Sequence, residues 1–576
     1  MISVDRIQGS KYLWEIPQHD KEQVISLAAT YNLSYPLAYT LLTRGFNTPE
    51  VIDDFLFSSV EKDVFCSTRM KDAQRAVDRI NLAIEKQEKI LIFGDYDVDG
   101  ITSSALMMTC LLPLGAQVNF YLPNRAKEGY GLSTKVVERA AANGYKVIIT
   151  VDNGTAAFEP ARKAKELGID LIITDHHRPH EELPDAFALV NPHQSLCEYP
   201  FKGFAGVGVG FKVISLLYQQ RGLELPVKAY ELLLLGTVAD VVPLIKENRY
   251  WVRHGLALAN KKPSFSFSVL KKNGKVEHDV ISSTDIGFCI TPQINALGRL
   301  EDPRQGVKFL LGTDPLEAER VGTVLWELNQ MRKSIERSVV EDVDRLIKKG
   351  TIDLSQENII CASSNGWPAG VIGLVASRFV AQYARPTLLF HLTPDGKAKG
   401  SCRSIKAFNM FDALASCSDH LDQFGGHAMA AGLSLCATRV GKVKALLEER
   451  TRALLKPEDF TLKLFVDAPI AMSDVTKKIL NDMQLFEPFG AENSEPKFYL
   501  SNICLVQRPQ LLKDAHVKCA VFAEGVIKPI IFFNRADLYE KLLAQQEKPF
   551  SAVVQIKQNH WQGNSSIELI GLDIAL

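Results

Sequence analysis

Acidic and imidazole side chains follow four separate apolar stretches of this chain. These groups are Asp95, Asp97 and Asp99 within residues 94–100, Asp152 before Asn153-Gly154, the triplet Asp175-His176-His177, and Asp240 within residues 236–243. Clustered carboxylates repel one another and hold protons to higher pH unless a cation neutralises them. Carboxylate oxygens with one or two imidazoles suit Mn²⁺ or Mg²⁺, whereas zinc prefers more nitrogen or sulfur ligands. The four groups therefore predict a divalent-metal site.

The number of candidate ligands exceeds what one ion needs. Two ions about 3.5–4 Å apart, sharing a bridging carboxylate and a bridging water, fit this number and hydrolyse phosphate esters. The alternative is that each motif is structural, because a single Asp-x-Asp after a strand is often a turn or a helix N-cap. Acids or histidines after three successive strands favour the metal site over this alternative.

The elements that must position these residues alternate along the chain. Short apolar stretches at 90–93, 117–122, 147–151 and 171–174 are separated by amphipathic segments at 133–143 and 156–167. Apolar strands that alternate with helices predict a doubly wound α/β domain with a parallel sheet covered on both faces. Ligands bind at the carboxyl ends of the strands in such sheets, which is where the acidic groups fall.

A long helix is expected after Asp314, which can cap the helix that begins with Pro315. Helical spacing continues to Gly350, and about 30 residues at 1.5 Å each would span roughly 45 Å. We interpret this helix as a rod joining two domains, with a long helix inside a bundle as the alternative. A second α/β unit follows, and from about Leu462 short β-rich segments predict a small barrel.

These patterns divide the chain into five predicted regions. They are an N-terminal extension (1–50), an α/β catalytic domain (51–250), a helical connector (251–350), a second α/β domain (351–455) and a barrel (456–576).

Composition limits the function classes. The net charge of -1 excludes a globally basic nucleic-acid binder but permits a local basic groove. The ten cysteines include no C-x-x-C pair, and we find no signal peptide and no membrane-length apolar stretch, so we expect a cytoplasmic protein without membrane association. Gly206-Val207-Gly208-Val209-Gly210 lacks the spacing of a dinucleotide loop, and no P-loop motif occurs. We therefore expect no nucleotide cofactor.

The ordered motifs resemble the DHH phosphoesterase family, which is named after the triplet seen here at residues 175–177. Two further motifs, Asn295-Ala296-Leu297-Gly298-Arg299 and residues 425–432, are similar to its branch of single-strand-specific exonucleases. The matches run from about residue 50 to about residue 450, and the β-rich tail is similar to the oligonucleotide-binding (OB) fold of that branch. The resemblance implies a DHH domain, a DHHA1-type second domain and an OB-type barrel. It also implies a Mn²⁺- or Mg²⁺-dependent enzyme that degrades single-stranded DNA 5′ to 3′ into mononucleotides during recombination and repair.

The resemblance also implies roles for particular residues. The catalytic set would be Asp95, Asp97, Asp99, Asp152, His176, His177 and Asp240, and the metal ligands within it Asp97, Asp99, Asp152, His176 and Asp240. Asp152 would bridge the ions, and Asp175 would support the imidazoles. Many family members carry a histidine where this chain has Phe93, so one ligand is either missing here or supplied by Asp95, which would join the ligands or orient them.

The predicted substrate contacts come mostly from the second domain. They are Arg125, His177, Arg299, Ser401, Arg403, Gly425, Gly426 and His427. Ser401 and Arg403 offer a hydroxyl and a guanidinium suited to a terminal phosphate; by resemblance they hold the 5′ phosphate with Arg125, while Arg299 lies on the scissile phosphate. We expect the Gly425-Gly426-His427 segment to precede a helix that begins at Ala428, whose N-terminal N–H groups would bind an anion.

Two other functions fit the same motifs. A DHH phosphodiesterase for short oligonucleotides or cyclic dinucleotides needs only the two α/β units, so the β-rich tail favours a polymer. A catalytically inactive nucleic-acid-binding scaffold would have lost acidic motifs that are intact here. Repair nucleases commonly work beside a helicase and a single-strand-binding protein, so we expect these partners and a monomeric enzyme.

Overall fold

The computed structural model describes residues 3–124, 128–129, 131–545, 548–561 and 564–576. The described residues form four β-sheets of three, five, seven and five strands.

The region expected to be the DHH domain contains a five-stranded parallel sheet in the order β4-β3-β5-β6-β7. Its elements are α4 (Val60–Asp63), α5 (Ala73–Glu85), β3 (Lys89–Phe93), α6 (Val98–Leu111), β4 (Gln117–Tyr121), α7 (Thr134–Ala142), β5 (Tyr145–Val151), α8 (Phe158–Glu166), β6 (Asp170–Thr174), β7 (Ala188–Val190), α9 (Gly206–Gln220), α10 (Val227–Ala239) and α11 (Lys246–Lys261). One sheet face, including Ile90 and Ile149, packs with α6, α9 and α10, and the other, including Leu91 and Ile148, packs with α7 and α8. Burial on both faces explains why the strands are continuously apolar and confirms the doubly wound prediction.

A helical segment leads from the DHH domain to the second domain. It contains α12 (Phe265–Asn273), α13 (Ser283–Asp285), α14 (Thr291–Leu300), α15 (Arg304–Leu311) and α16 (Pro315–Lys348). Asp314 caps α16 by accepting a hydrogen bond from the Leu316 N–H at 2.9 Å. The helix is 34 residues long; its first half packs on the DHH-side core through Leu325, and its second half enters the second domain's core through Val339 and Val343. The predicted connecting helix is therefore confirmed.

The second domain has a mixed sheet in the order β11-β12-β10-β9-β8, in which only β8 and β9 run parallel. Its elements are β8 (Ile360–Ser364), α17 (Ala369–Tyr383), β9 (Thr387–Leu392), β10 (Lys397–Arg403), α18 (Met410–Ala415), β11 (Gln423–Gly426), β12 (Ala430–Cys436) and α19 (Val440–Leu454).

The C-terminal region closes into a five-stranded barrel in the order β15-β19-β20-β18-β17, because β15 pairs with both β19 and β17. Its elements are β13 (Lys463–Phe465), β14 (Ala468–Pro469), α20 (Lys477–Phe486), β15 (Phe498–Leu505), β16 (Gln510–Leu512), β17 (His516–Ala523), β18 (Val526–Phe532), α21 (Leu538–Gln545), β19 (Phe550–Trp561) and β20 (Asn564–Ala575). This closed barrel confirms the predicted OB-type fold.

The N-terminal segment packs on this barrel. It contains β1 (Val4–Gln8), β2 (Leu13–Pro17), α1 (Lys21–Tyr31), α2 (Tyr35–Thr43) and α3 (Pro49–Leu56). Asp573 in β20 accepts a hydrogen bond from the buried Trp14 indole N–H at 3.0 Å, and β13 extends the β1–β2 sheet. Among the described residues, no helix combines the length and apolar character that a bilayer crossing requires.

Candidate metal centre and adjoining cleft

All seven predicted catalytic residues meet at the carboxyl ends of the strands of the DHH sheet. Three groups of side chains each place their ligand atoms within 4.8 Å of one another: Asp95, Asp97 and Asp152; Asp99, His176 and Asp240; and Asp152, Asp175, His176 and His177. His176 Nε2 lies 3.1 Å from Asp152 Oδ1, 3.7 Å from Asp240 Oδ2 and 3.9 Å from Asp99 Oδ2. We refer to these residues together as the acidic rim.

Helix starts fix the acids that follow β3. Asp97 is the N-cap of α6 and accepts a hydrogen bond from the Gly100 N–H at 3.1 Å. Asp99, in the first turn, is buried and accepts hydrogen bonds from the Gly206 and Val207 N–H groups at 2.6 and 2.8 Å. The start of α9 thus holds Asp99 through backbone donors, as helix N-termini do for anions.

Asp152 sits at the end of β5 in a left-handed conformation with φ 62°. Such a backbone is sparsely populated for residues other than glycine and often marks functional sites. Gly206 must approach it closely, since a Cβ at Gly206 would lie 2.5 Å from the Asp152 Cβ. The glycine-rich segment at residues 206–210 therefore allows α9 to pack against the acidic rim.

Asp175 organises the two histidines that follow it. Its Oδ1 accepts hydrogen bonds from the His176 and His177 N–H groups and lies 2.8 Å from His177 Nδ1, while its Oδ2 accepts one from the Thr155 N–H. Burial would raise the Asp175 pKa, but the hydrogen bond and charge of His177 outweigh burial and lower it to about 2. Burial would lower the His177 pKa, yet the hydrogen bond and charge of Asp175 raise it to about 9.

Three other rim carboxylates, Asp99, Asp152 and Asp240, have raised pKa values. Burial, and then the charge of Asp97, raises the pKa of Asp99 to about 7. Burial and the charges of Asp99 and Asp97 raise the pKa of Asp240 to about 9, and burial with the same neighbours raises that of Asp152 well above its ordinary value. Burial, followed by the charge of His177, lowers the His176 pKa to about 4, which keeps this imidazole neutral.

These groups fit a divalent metal. Buried carboxylates that cannot all ionise are what a dication stabilises. The His176 Nε2 atom is buried and makes no hydrogen bond to the described residues, although it faces three carboxylates. A neutral imidazole nitrogen and convergent carboxylate oxygens form a donor set suited to Mn²⁺ or Mg²⁺.

Helix α14 connects the acidic rim to a cleft on the second domain. A Cβ at Gly298 would lie 2.0 Å from the Tyr96 carbonyl oxygen, so only glycine lets α14 pack on the loop that carries Asp95 and Asp97. The next residue, Arg299, donates a hydrogen bond from Nη1 to the Gly370 carbonyl at the start of α17, at 2.8 Å. Arg299 therefore lies at the junction between the two domains.

The cleft has a volume of about 660 Å³, and its lining includes Arg299, Ser401, Arg403 and Gly426. Four of the predicted substrate contacts are thus brought together. Gly425 and His427 lie next to Gly426 on an exposed hairpin, and His177 belongs to the acidic rim. Arg125 lies outside the described residues.

The helix expected to begin at Ala428 is wrong. The His427 N–H donates to the Ala430 carbonyl at 2.8 Å, which closes a turn, and β12 begins at Ala430. Pairing of β12 with β10 and β11 overrides the local helical appearance of the sequence. The N–H donors of a helix start are therefore not present at residues 425–427.

Two cleft residues were missed by the sequence analysis. Lys399 and His391 line the same cleft. The alternation of side chains along a strand could have identified Lys399, because it precedes Ser401 by two residues.

Comparisons with known proteins agree with this architecture. Family models match residues 89–237 (DHH family, N-terminal domain), 356–454 (DHHA1 domain) and 466–573 (RecJ OB domain). With its parallel sheet and acidic rim, the chain is a DHH-class protein, as its motifs suggested.

Curated relatives define the family more narrowly. The single-stranded-DNA-specific exonuclease RecJ of Bacillus subtilis is 36% identical over 570 residues, which cover 99% of this chain and 71% of that protein. Its Escherichia coli namesake is 32% identical over 528 residues, covering 87% of this chain and 90% of that protein. The chain belongs to the RecJ family.

Two solved structures are similar to this chain. RecJ from Thermus thermophilus in complex with Mn²⁺ has a TM-score of 0.81 at 24% identity and covers 97% of this chain and 78% of its own, which shows the shared fold. A crystal structure of exonuclease RecJ bound to manganese has a TM-score of 0.59 at 29% identity and covers 68% of this chain and 96% of its own.

Proposed function

We propose that this chain is a metal-dependent exonuclease that degrades single-stranded DNA from 5′ to 3′ into mononucleotides, in recombination and repair. The observation that carries the proposal is the convergence of Asp97, Asp152, His176 and Asp240 in one acidic rim. Relatives named as single-stranded-DNA-specific exonucleases, which match nearly the whole chain, support the substrate.

Asp97, Asp99, Asp152, His176 and Asp240 would hold two Mn²⁺ or Mg²⁺ ions, with Asp152 as the shared ligand, and Asp95 would join or orient these ligands. Such a pair activates a water molecule and neutralises charge on the leaving oxygen. Asp175 fixes the His177 ring through Nδ1, so that the ring meets the substrate phosphate through Nε2. Phe93 is buried and stacks on Tyr121, and its apolar ring offers no ligand atom to a metal.

The cleft beside the acidic rim supports action at a strand end. Ser401 and Arg403 would bind the 5′ phosphate, with Gly425, Gly426 and His427 at its edge, and Arg299 would contact the scissile phosphate. Holding the terminal phosphate in this cleft would present the first internucleotide bond to the acidic rim, which would give mononucleotide products.

The barrel supports a polymeric substrate. Phe522 and Phe533 expose 44% and 50% of their surface, whereas Phe498 and Phe532 are fully buried in the core. Exposed aromatic rings on an OB-type barrel can stack on bases without sequence preference. Phe522 and Phe533 are therefore the candidate stacking residues among these four.

We also expect a cytoplasmic monomer that works with a helicase and a single-strand-binding protein. Light scattering of the purified protein and pull-down with each partner test these expectations.

The test of the function is a digest of a long single strand labelled at either end, with Mn²⁺ or Mg²⁺. A strand labelled at its 5′ end should release labelled mononucleotide at once, and a strand labelled at its 3′ end should shorten progressively. Asp152→Ala is the control for contaminating nuclease. Faster hydrolysis of a dinucleotide than of the long strand would instead identify a short-oligonucleotide phosphodiesterase, and absence of cleavage despite metal binding would identify a scaffold.

A further inference from the structure

One face of β10 carries a row of polar side chains. Lys397, Lys399, Ser401 and Arg403 alternate along the strand and therefore point to the same side. Lys397 Nζ lies 4.0 Å from Asp422, whereas Lys399 forms no hydrogen bond or ion pair with the described part of the chain. Lys399 lines the cleft and is exposed. It is thus a cation next to the predicted phosphate contacts without a protein counter-charge in bonding distance.

His391 lies directly across from Lys399 on β9. Its Nδ1 atom is buried and makes no hydrogen bond to any described residue. A buried polar atom without a partner costs free energy unless a ligand or water supplies one. His391 also lines the cleft, so its ring faces the space in which a ligand would bind.

Two glycines beside this pair leave that part of the sheet surface without side chains. Gly432 pairs with Ser401 on one side and with Gly425 on the other. Neither glycine has a positive φ, and the nearest atom to a Cβ at Gly432 is the Gly400 carbonyl oxygen at 3.9 Å. The described protein neither needs glycine at position 432 nor fills the space above it, which leaves room for a ligand next to Ser401.

We propose that Lys399 and His391 form a second phosphate subsite, beside Ser401 and Arg403 and over Gly432. Lys399 is one two-residue step, about 7 Å along the strand, from Ser401. The subsite takes the second phosphate of a 5′-triphosphate end, because the internucleotide phosphate next to the 5′-terminal one is the scissile phosphate, which Arg299 would contact. The cleft lining supports an anion, since it includes Arg299, Lys399 and Arg403 but a single acid, Glu301, among the described residues. This inference rests on the proposed function.

The first test compares Lys399→Ala with Lys397→Ala, which removes a cation from the same strand outside the cleft. Single strands with a 5′-hydroxyl, 5′-monophosphate or 5′-triphosphate end serve as substrates. Loss of one charge-assisted contact predicts a KM increase of about tenfold for Lys399→Ala on the triphosphate strand, with kcat nearly unchanged, and partial rescue by Lys399→Arg. An increase for the triphosphate strand alone supports the subsite, and an equal increase for all three strands overturns it, because Lys399 then does not distinguish the polyphosphate end. An unchanged KM for all three strands overturns the subsite.

The second test changes the shape of the proposed subsite and leaves its charge unchanged. Gly432→Ala places a methyl group in the open space, where the nearest atom would be 3.9 Å away, and Gly441→Ala is the control because a Cβ there meets no atom within 4 Å. We expect Gly432→Ala to weaken binding of the triphosphate strand without lowering the melting temperature. Equal binding by both variants contradicts the proposal.

Binding to fluorescent strands in EDTA, without turnover, separates the two proposals. If the wild type binds strands but does not cleave them with metal, the nuclease proposal fails. The comparison of Lys399→Ala with Lys397→Ala in the same binding assay then still decides the subsite.

Discussion

The replacement Asp240→Asn should stabilise the metal-free protein. Burial and the charges of Asp99 and Asp97 raise the Asp240 pKa from 3.8 to about 9, so at pH 7 the folded state holds a proton that the unfolded state releases. A carboxyl whose pKa is raised by folding lowers stability above pH 3.8, and the loss grows until about pH 9. At pH 7 the difference of about three pH units corresponds to roughly 4 kcal/mol at about 1.4 kcal/mol per unit. Asparagine removes this cost.

Unfolding of wild type and variant in EDTA and in excess Mn²⁺ measures the effect. We expect Asp240→Asn to be about 2–4 kcal/mol more stable than wild type in EDTA at pH 7, with a gap that narrows toward pH 4. It should gain less than wild type from Mn²⁺, because one ligand is lost. Asp302→Asn is the control, and it should lower the free energy of unfolding instead of raising it, since the hydrogen bond from Arg304 lowers the Asp302 pKa. A metal-free Asp240→Asn protein less stable than wild type, or an equal gain from Mn²⁺, would refute this reasoning.

Four further predictions concern the acidic rim, the cleft and the domain contacts. Asp152→Ala should abolish cleavage while strand binding in a filter or anisotropy assay stays largely intact; retained cleavage would contradict the bridging role. Arg403→Ala should remove any preference for a 5′-phosphorylated strand, and an unchanged ratio of kcat/KM between phosphate and hydroxyl ends would argue against the phosphate site. Buried Arg249 donates hydrogen bonds to the carbonyls of Phe55, Phe486 and Leu485 at 2.7–2.9 Å. Arg249→Met should therefore lower the free energy of unfolding in urea by about 3–5 kcal/mol. A loss under 1 kcal/mol would show that these hydrogen bonds are replaceable. Mn²⁺ binding at pH 7 should release protons, because rim carboxyls with raised pKa values hold these protons in the metal-free protein. Calorimetry in buffers of different ionisation enthalpy detects the proton release. Equal binding heats in all buffers would exclude it.

The parallel sheet and the rim were predictable from sequence for a physical reason. Strands buried on both faces must be apolar throughout, so the polar residues that end them stand out. Asp152 and Asp175 follow such strands directly, and their convergence follows from the parallel arrangement. Asp240 could be associated with the rim only through its motif, because it ends helix α10 and not a strand.

Features that depend on long-range packing were harder to predict from the sequence. The hairpin at residues 425–432 depends on pairing with β10, which the local sequence does not encode. The packing of Trp14 against Asp573 joins residues 559 positions apart, and periodicity within either segment carries no information about the other. His391 and Lys399 meet through β9–β10 register, so their proximity required the sheet.

The most direct test of the metal centre is the location of Mn²⁺ by anomalous diffraction from a crystal of this protein soaked in MnCl₂. We expect two peaks about 3.5–4 Å apart, with Asp152 between them and His176 and Asp240 in contact. No peak at the acidic rim, or ions bound away from Asp152, would contradict the two-metal site.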